Sequence, residues 1–356
     1  MKINKLFLGL SLTLTLTLTL VLYSCDNSSK DAITPVSSGT YILNNGNWAS
    51  NDSNIGIYNP FGKTFTADVF KTVNGQALGD LGQDIASLAD EVYIAVNGSQ
   101  TIFVTDKSLK IKQQINADKE GIRLSPRYFA TSGNKVYVTY YEGYVGEISG
   151  DYSVRLCPVG QNPEGIAVAG GNLYVANSGG MAYPVYDNTV SVVSMDTFTE
   201  TSIIEVNVNP AKVEASSDGA YVYVSSFGNY ADVPAKLQVI TTADGKTSDL
   251  EYASVSAIAK GRDDILYILC GGYDENYNPL PGTVYMHDMK TNKPLGRFVS
   301  DQTTLPEAYS ISATSDGYVY VGCSDYKNTG DVYVFTPEGK LHDKFDSQGL
   351  NPLKAF

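Results

Sequence analysis

The sequence predicts an all-β fold, a seven-bladed β-propeller whose ring is closed by the C-terminal strand. Three observations carry this. A tyrosine flanked by an apolar residue or Thr and by Ile or Val recurs at Tyr41, Tyr93, Tyr137, Tyr174, Tyr223, Tyr267 and Tyr320. The spacings run from 37 to 53 residues with a mean of about 46, the length of one four-stranded propeller blade. Ahead of several of these tyrosines lies a short segment that opens on Pro and ends in a tight turn. Finally, the two ends of the repeat array complement each other.

Within a repeat, the innermost strand comes first. It opens at Ser125-Pro126-Arg127-Tyr128, Asn162-Pro163-Glu164-Gly165, Asn209-Pro210-Ala211-Lys212, Leu305-Pro306-Glu307-Ala308 and Asn351-Pro352-Leu353-Lys354. Pro fits there because the first residue of a strand need not donate to the ladder. Turns rich in Gly, Asp or Asn follow, as at Ser132-Gly133-Asn134, Gly170-Gly171-Asn172, Ser217-Asp218-Gly219 and Ser315-Asp316-Gly317. The tyrosine strand is next, apolar on both faces, as expected of a blade sandwiched between two neighbours. A variable loop and two further strands complete the unit, as in 189–193 followed by 200–206. The first repeat begins with its tyrosine strand, 40–43, and has no inner strand before it. Residues 351–356 are an inner strand with no tyrosine strand after them. Pairing the two closes the ring and removes exposed sheet edges.

The N-terminal segment has a different composition. Lys2 and Lys5 precede an apolar run from Leu6 to Leu22, and Leu22-Tyr23-Ser24-Cys25 reads as a lipobox. Residues 1–24 are therefore expected to be a signal peptide, with Cys25 lipidated. An uncleaved anchor is the alternative, but the run is short for a bilayer crossing and is interrupted by Thr. Residues 25–38 are polar and read as a flexible tether; Ser28-Ser29-Lys30-Asp31 partly resembles the short acidic export signals of some Gram-negative lipoproteins. Residues 39–356 form the propeller.

The net charge is −13, with no basic run, which argues against a nucleic-acid partner, since Lys and Arg supply that affinity. Losing Lys2 and Lys5 with the signal makes the chain more acidic, as suits a soluble extracellular domain held to a membrane only by its lipid. Cys270 and Cys323 each lie three residues after a repeat tyrosine. Equivalent places in adjacent blades are too far apart for a disulfide, so both are expected to be buried free thiols.

The loops after the tyrosine strands are rich in aromatic residues set among Gly and Asn. They contain Asn45 and Trp48, Tyr140 and Tyr141, Tyr183 and Tyr186, Phe227 and Tyr230, Tyr273 and Tyr277, and Tyr326. Such a composition makes contact area at low entropic cost and marks a recognition surface. With Arg127, these residues are the expected ligand contacts. Surface tyrosines packing on their own loops are the alternative. Glu164, Glu307, Arg127 and Lys212 are expected near the central funnel. The two histidines, His287 and His342, fall in a third and an outer strand, away from the aromatic loops, so neither a Ser-His-Asp set nor a zinc site is easily built there. Asp274, Glu275 and Asn276 lack the regular spacing of a calcium loop. No catalytic residue, metal or cofactor is expected.

The Asn162-to-Val168 segment and the Asp218-to-Val224 turn and strand resemble the YncE-type seven-bladed propellers. The lipobox, the opening 41–48 and the segment Asn54-Ile55-Gly56-Ile57-Tyr58 resemble the BtuG-type surface lipoproteins. That resemblance implies a monomeric outer-membrane protein of the cell surface that captures cobalamin (vitamin B12) and passes it to a TonB-dependent transporter. Cobalamin is a corrin disc with apolar patches, a fringe of amides and one phosphate; aromatic side chains suit the disc, and Arg127 or Lys212 suits the phosphate. The competing expectations are a glycan-binding surface lipoprotein, a lyase or lactonase on a propeller scaffold, and a structural surface-layer or adhesion protein.

Overall fold

The computed structural model describes residues 39–273 and 279–356. The expectations for residues 1–38, including the signal peptide, Cys25 and the tether, lie outside the described residues, as do Tyr277 and Asp274 to Asn276.

Seven four-stranded antiparallel sheets make up the domain. The inner strands are Gly82–Leu88, Pro126–Ser132, Pro163–Ala169, Pro210–Ala215, Val255–Lys260, Ala308–Ala313 and Pro352–Ala355. Four of the seven open on proline, as the unused first donor allows. The last of them pairs with Thr40–Asn44, so the first blade is built from both ends of the chain. Tyr41 and Phe356 exchange backbone hydrogen bonds of 2.8 and 2.9 Å, which closes the ring as the complementary ends predict.

The repeat tyrosines hold neighbouring blades together. Tyr93, Tyr137, Tyr174, Tyr223, Tyr267 and Tyr320 are all buried, their rings filling the space between sheets. Several hydroxyls reach the next blade. Tyr320 meets Thr40 Oγ1 at 2.9 Å, Tyr41 donates to Lys107 O at 2.6 Å and Tyr223 donates to Met289 O at 3.1 Å. Tyrosine suits this place because it buries a large apolar body while its polar tip finds a partner.

Cys157, Cys270 and Cys323 are buried free thiols. Burial pushes Cys270 up to about 11 and Cys323 up to about 12, so both stay protonated and unreactive at neutral pH.

A repeated irregularity shapes the centre of the ring. The first residue of each inner strand is in register with the last residue of its tyrosine strand or, in the blade whose tyrosine strand runs on to Tyr273, with Cys270: Gly82 with Val96, Pro126 with Tyr140, Pro163 with Asn177, Pro210 with Ser226, Val255 with Cys270, Ala308 with Cys323 and Pro352 with Asn44. The carbonyl just before each inner strand accepts the N–H of the residue that follows this partner, at 2.8–3.2 Å, as in Tyr141 to Ser125 and Phe227 to Asn209. Register then shifts after that first pair in every blade. A bulge of this kind re-aims a side chain. Here it turns the second residue of all seven inner strands toward the axis.

A funnel on the propeller axis

The seven re-aimed residues are Gln83, Arg127, Glu164, Ala211, Ser256, Tyr309 and Leu353, and all of them line one axial cavity of about 660 Å³. The ring is lopsided. Blades two to four contribute a polar network, and blades five and six contribute Ala211 and Ser256, whose small side chains leave the lumen open on that side.

The polar network is closed on itself. Arg127 donates to both carboxylate oxygens of Glu164, Nε to Oε2 at 2.8 Å and Nη2 to Oε1 at 2.7 Å. Its Nη1 donates to Gln83 Oε1 at 2.8 Å, and Gln83 Nε2 donates to Tyr128 Oη at 2.7 Å. The guanidinium also lies 5.1 Å from the ring centroid of Tyr141. Burial raises the Glu164 carboxyl above its ordinary range, against the opposing pull of Arg127. A second pair, Lys354 with Asp84, crosses between the first two blades, and Asp84 also accepts the N–H of Phe129 at 2.9 Å.

Above the network the loops add aromatic rings. Tyr141, Tyr186, Phe227 and Tyr230 line the cavity. Tyr183, Tyr186, Tyr230 and Phe227 form a continuous arc, with successive centroids 6.1, 6.0 and 6.4 Å apart. Tyr230 is 70% exposed, so its face is open to a partner. Across the funnel Tyr326 packs edge-on against Tyr309 at 5.5 Å. Asn45 reaches the cavity too, but its amide donates to Gly82 O at 2.7 Å and serves to join the first two blades.

Several expected contacts lie elsewhere. Tyr140 is 1% exposed and packs in the core between blades. It is the last residue of its strand rather than the first of the loop, which puts it in the same ladder position as Cys270 and Cys323. Its spacing of three from Tyr137, matching that of the cysteines from their tyrosines, is the signal that identifies it. Trp48, 77% exposed, does not line the cavity; Tyr183 joins the rim through Tyr186, and Tyr326 packs on the cavity-lining Tyr309. The backbone of Tyr273 ends its strand; its side chain lies outside the described residues. Glu307 does not face the funnel. Its blade starts at Ala308, two residues after Pro306, so Glu307 takes the left-handed turn place of Asn162 and Asn209, and Tyr309 takes the place of Glu164. Tyr128, Gln83 and Tyr309 are funnel residues that the loop pattern alone does not reveal.

The histidines are engaged away from this cavity. His287 is buried between Tyr252 Oη at 3.0 Å and Asn292 Oδ1 at 2.9 Å, and His342 Nε2 lies 2.8 Å from Pro60 O. Among the described residues, no three His, Cys, Asp or Glu side chains gather as a metal-binding group.

No family model matches this sequence, and no curated protein does. Solved structures do resemble it. A chain of Kuenenia stuttgartiensis hydrazine synthase superposes with a TM-score of 0.57 at 17% identity, covering 70% of this chain and 74% of that one. The WD40 domain of Neurospora crassa Pan2 superposes with a TM-score of 0.52 at 11% identity, covering 73% and 78%. At such identities the likeness is one of architecture, and the chain is a seven-bladed β-propeller.

Proposed function

We propose that this protein captures a small organic ligand in the axial funnel and carries out no chemistry on it, with a corrinoid, cobalamin first, as the ligand. The observation that carries the reading is the aromatic arc of Tyr183, Tyr186, Tyr230 and Phe227 above an open lumen of about 660 Å³. The rings pack on one another, edge-to-face from Tyr183 through Tyr186 to Tyr230 and near-parallel from Tyr230 to Phe227, and present a broad apolar rim to a flat ligand. The lumen is too small to swallow a corrin, so the disc sits on the rim while a side group enters. The ring of closed sheets keeps the rim in place before binding, which limits the ordering cost.

The lipobox reading at Cys25 makes the protein a surface lipoprotein, and a TonB-dependent outer-membrane transporter is then the recipient of the ligand. Alanine substitution at Phe227 and Tyr230 tests the rim. Each change is expected to weaken cyanocobalamin binding by more than about 1 kcal/mol, as for central aromatic anchors, with the melting temperature unchanged. Unaltered affinity in both would remove the funnel as the capture site.

A further inference from the structure

We infer that Lys212 is an anion-recognition residue, and that the ligand group entering the funnel carries a negatively charged oxygen of the phosphate or carboxylate kind. The inference rests on the funnel being a ligand site, and goes beyond it by naming which group enters.

Among the described residues four cations line the lumen, and Arg127, Lys260 and Lys354 are each paired with a carboxylate. Arg127 has its donors turned to Glu164 and Gln83, and Lys354 is paired with Asp84. Arg127 is thereby occupied and gives up its network if it turns to a ligand. Lys212 differs. Among the described residues its ammonium has no hydrogen-bond or ion-pair partner; it rests 3.4 Å from the ring centroid of Tyr128. Burial lowers its proton affinity, against the pull of Asp84 and Glu164. A half-buried ammonium over an aromatic face is stabilised far less than one meeting an oxyanion.

The backbone explains how the side chain gets there. Tyr128, Gly165 and Lys212 hold equivalent places, third in the inner strands of three successive blades. A Cβ at Gly165 would lie 2.9 Å from Lys212 Cα and 2.7 Å from Val213 N, so only glycine lets the two strands approach this closely. The missing side chain leaves a gap through which Lys212 reaches Tyr128. Ala211, next in sequence, keeps the approach to Lys212 open from the rim. Two residues beyond, on the same face of the strand, Glu214 lines the same lumen and makes no ion pair among the described residues. An anion entering from the rim meets Lys212 before it reaches Glu214.

The test uses wild-type, Lys212→Met and Lys212→Arg proteins. The probes are cyanocobalamin, which bears a phosphodiester, dicyanocobinamide, a corrinoid without the nucleotide loop and its phosphate, and phenyl phosphate. Met keeps the stem over Tyr128, and melting curves check the fold. Lys212→Met is expected to weaken cyanocobalamin and phenyl phosphate by at least about tenfold, Lys212→Arg to recover most of that, and dicyanocobinamide to change less than about twofold. Phenyl phosphate binding that depends on Lys212, with no binding of either corrinoid, upholds the anion site while removing the corrinoid reading. The inference is overturned if Lys212→Met leaves the phosphate-bearing probes unchanged, if it weakens dicyanocobinamide equally, or if wild-type protein binds neither phosphate-bearing probe.

Discussion

Replacing Arg127 by Met should destabilise the propeller, and by an amount that depends on pH. The side chain is 18% exposed and its partner Glu164 only 12%. Met keeps most of the apolar stem but removes three hydrogen bonds of 2.7–2.8 Å, leaving the Glu164 carboxylate without its counter-charge. Stranding a buried charge in this way costs about 3–5 kcal/mol. At about 2 °C per kcal/mol for a domain of this size, the melting temperature should fall by about 6–10 °C at pH 8. The carboxyl of Glu164 is already raised by burial, with Arg127 pulling the other way. An acid whose folded-state pKa is raised binds its proton more tightly when folded. Its contribution is thus fully present below the unfolded value and lost as pH rises through the folded one. Losing Arg127 moves the folded value further up, so the deficit should be smaller at pH 5 than at pH 8, since acid favours the neutral carboxyl. Thermal unfolding by circular dichroism at pH 5 and pH 8 reads both effects, and the double variant Arg127→Met/Glu164→Met should recover most of the loss. A variant within about 2 °C of wild type at pH 8, or equally impaired at both pH values, would refute the reasoning.

Three further outcomes are expected. Deleting residues 351–356 removes at least six hydrogen bonds, among them both Tyr41–Phe356 bonds and the 2.6 Å bond from Ser310 to Pro352 O, and should cost about 6 kcal/mol at about 1 kcal/mol each; denaturant unfolding measures it, and wild-type stability would contradict ring closure. Asp264 is pushed up by burial, but Ser217 and Lys260 outweigh that and bring it down to about 2, so its contribution of about 2 kcal/mol is present above pH ~4 and lost as pH falls toward 2. Acid titration of Asp264→Asn beside wild type should show a stability gap that narrows over that window. Under the lipoprotein reading, Cys25→Ala should move the protein from the membrane to the soluble fraction, and an unchanged membrane fraction would count against the lipobox.

The sequence carries the ring well and the funnel poorly, for a physical reason. Blade architecture depends on features repeated in every blade: a buried tyrosine, a turn, an apolar strand. Ring closure is legible because Thr40 and Asn351 begin two halves of one unit. The funnel depends on one bulged residue per blade, and a bulge leaves no mark of its own in composition. Proline marks the start of the inner strand in four blades, so Arg127 and Glu164 could be placed near the axis. In the seventh blade Pro306 lies two residues ahead of the strand, and the alignment on proline put Glu307 where Tyr309 belongs. Tyr140 failed differently. It resembles its loop neighbour Tyr141 in residue type, and only its ladder place, shared with Cys270, separates core from rim. The triplet Val332-Tyr333-Val334 also matches the repeat signature yet forms the third strand of its blade, so the spacing of the motif informs more than the motif does.

The measurement that bears most directly on the capture proposal is calorimetric titration of the purified protein with cyanocobalamin. One-to-one binding tighter than about 1 μM, more than about 8 kcal/mol, that is lost when Phe227 and Tyr230 are both replaced by Ala, is the predicted result. Absence of binding by calorimetry and by a second optical method would contradict the corrinoid reading.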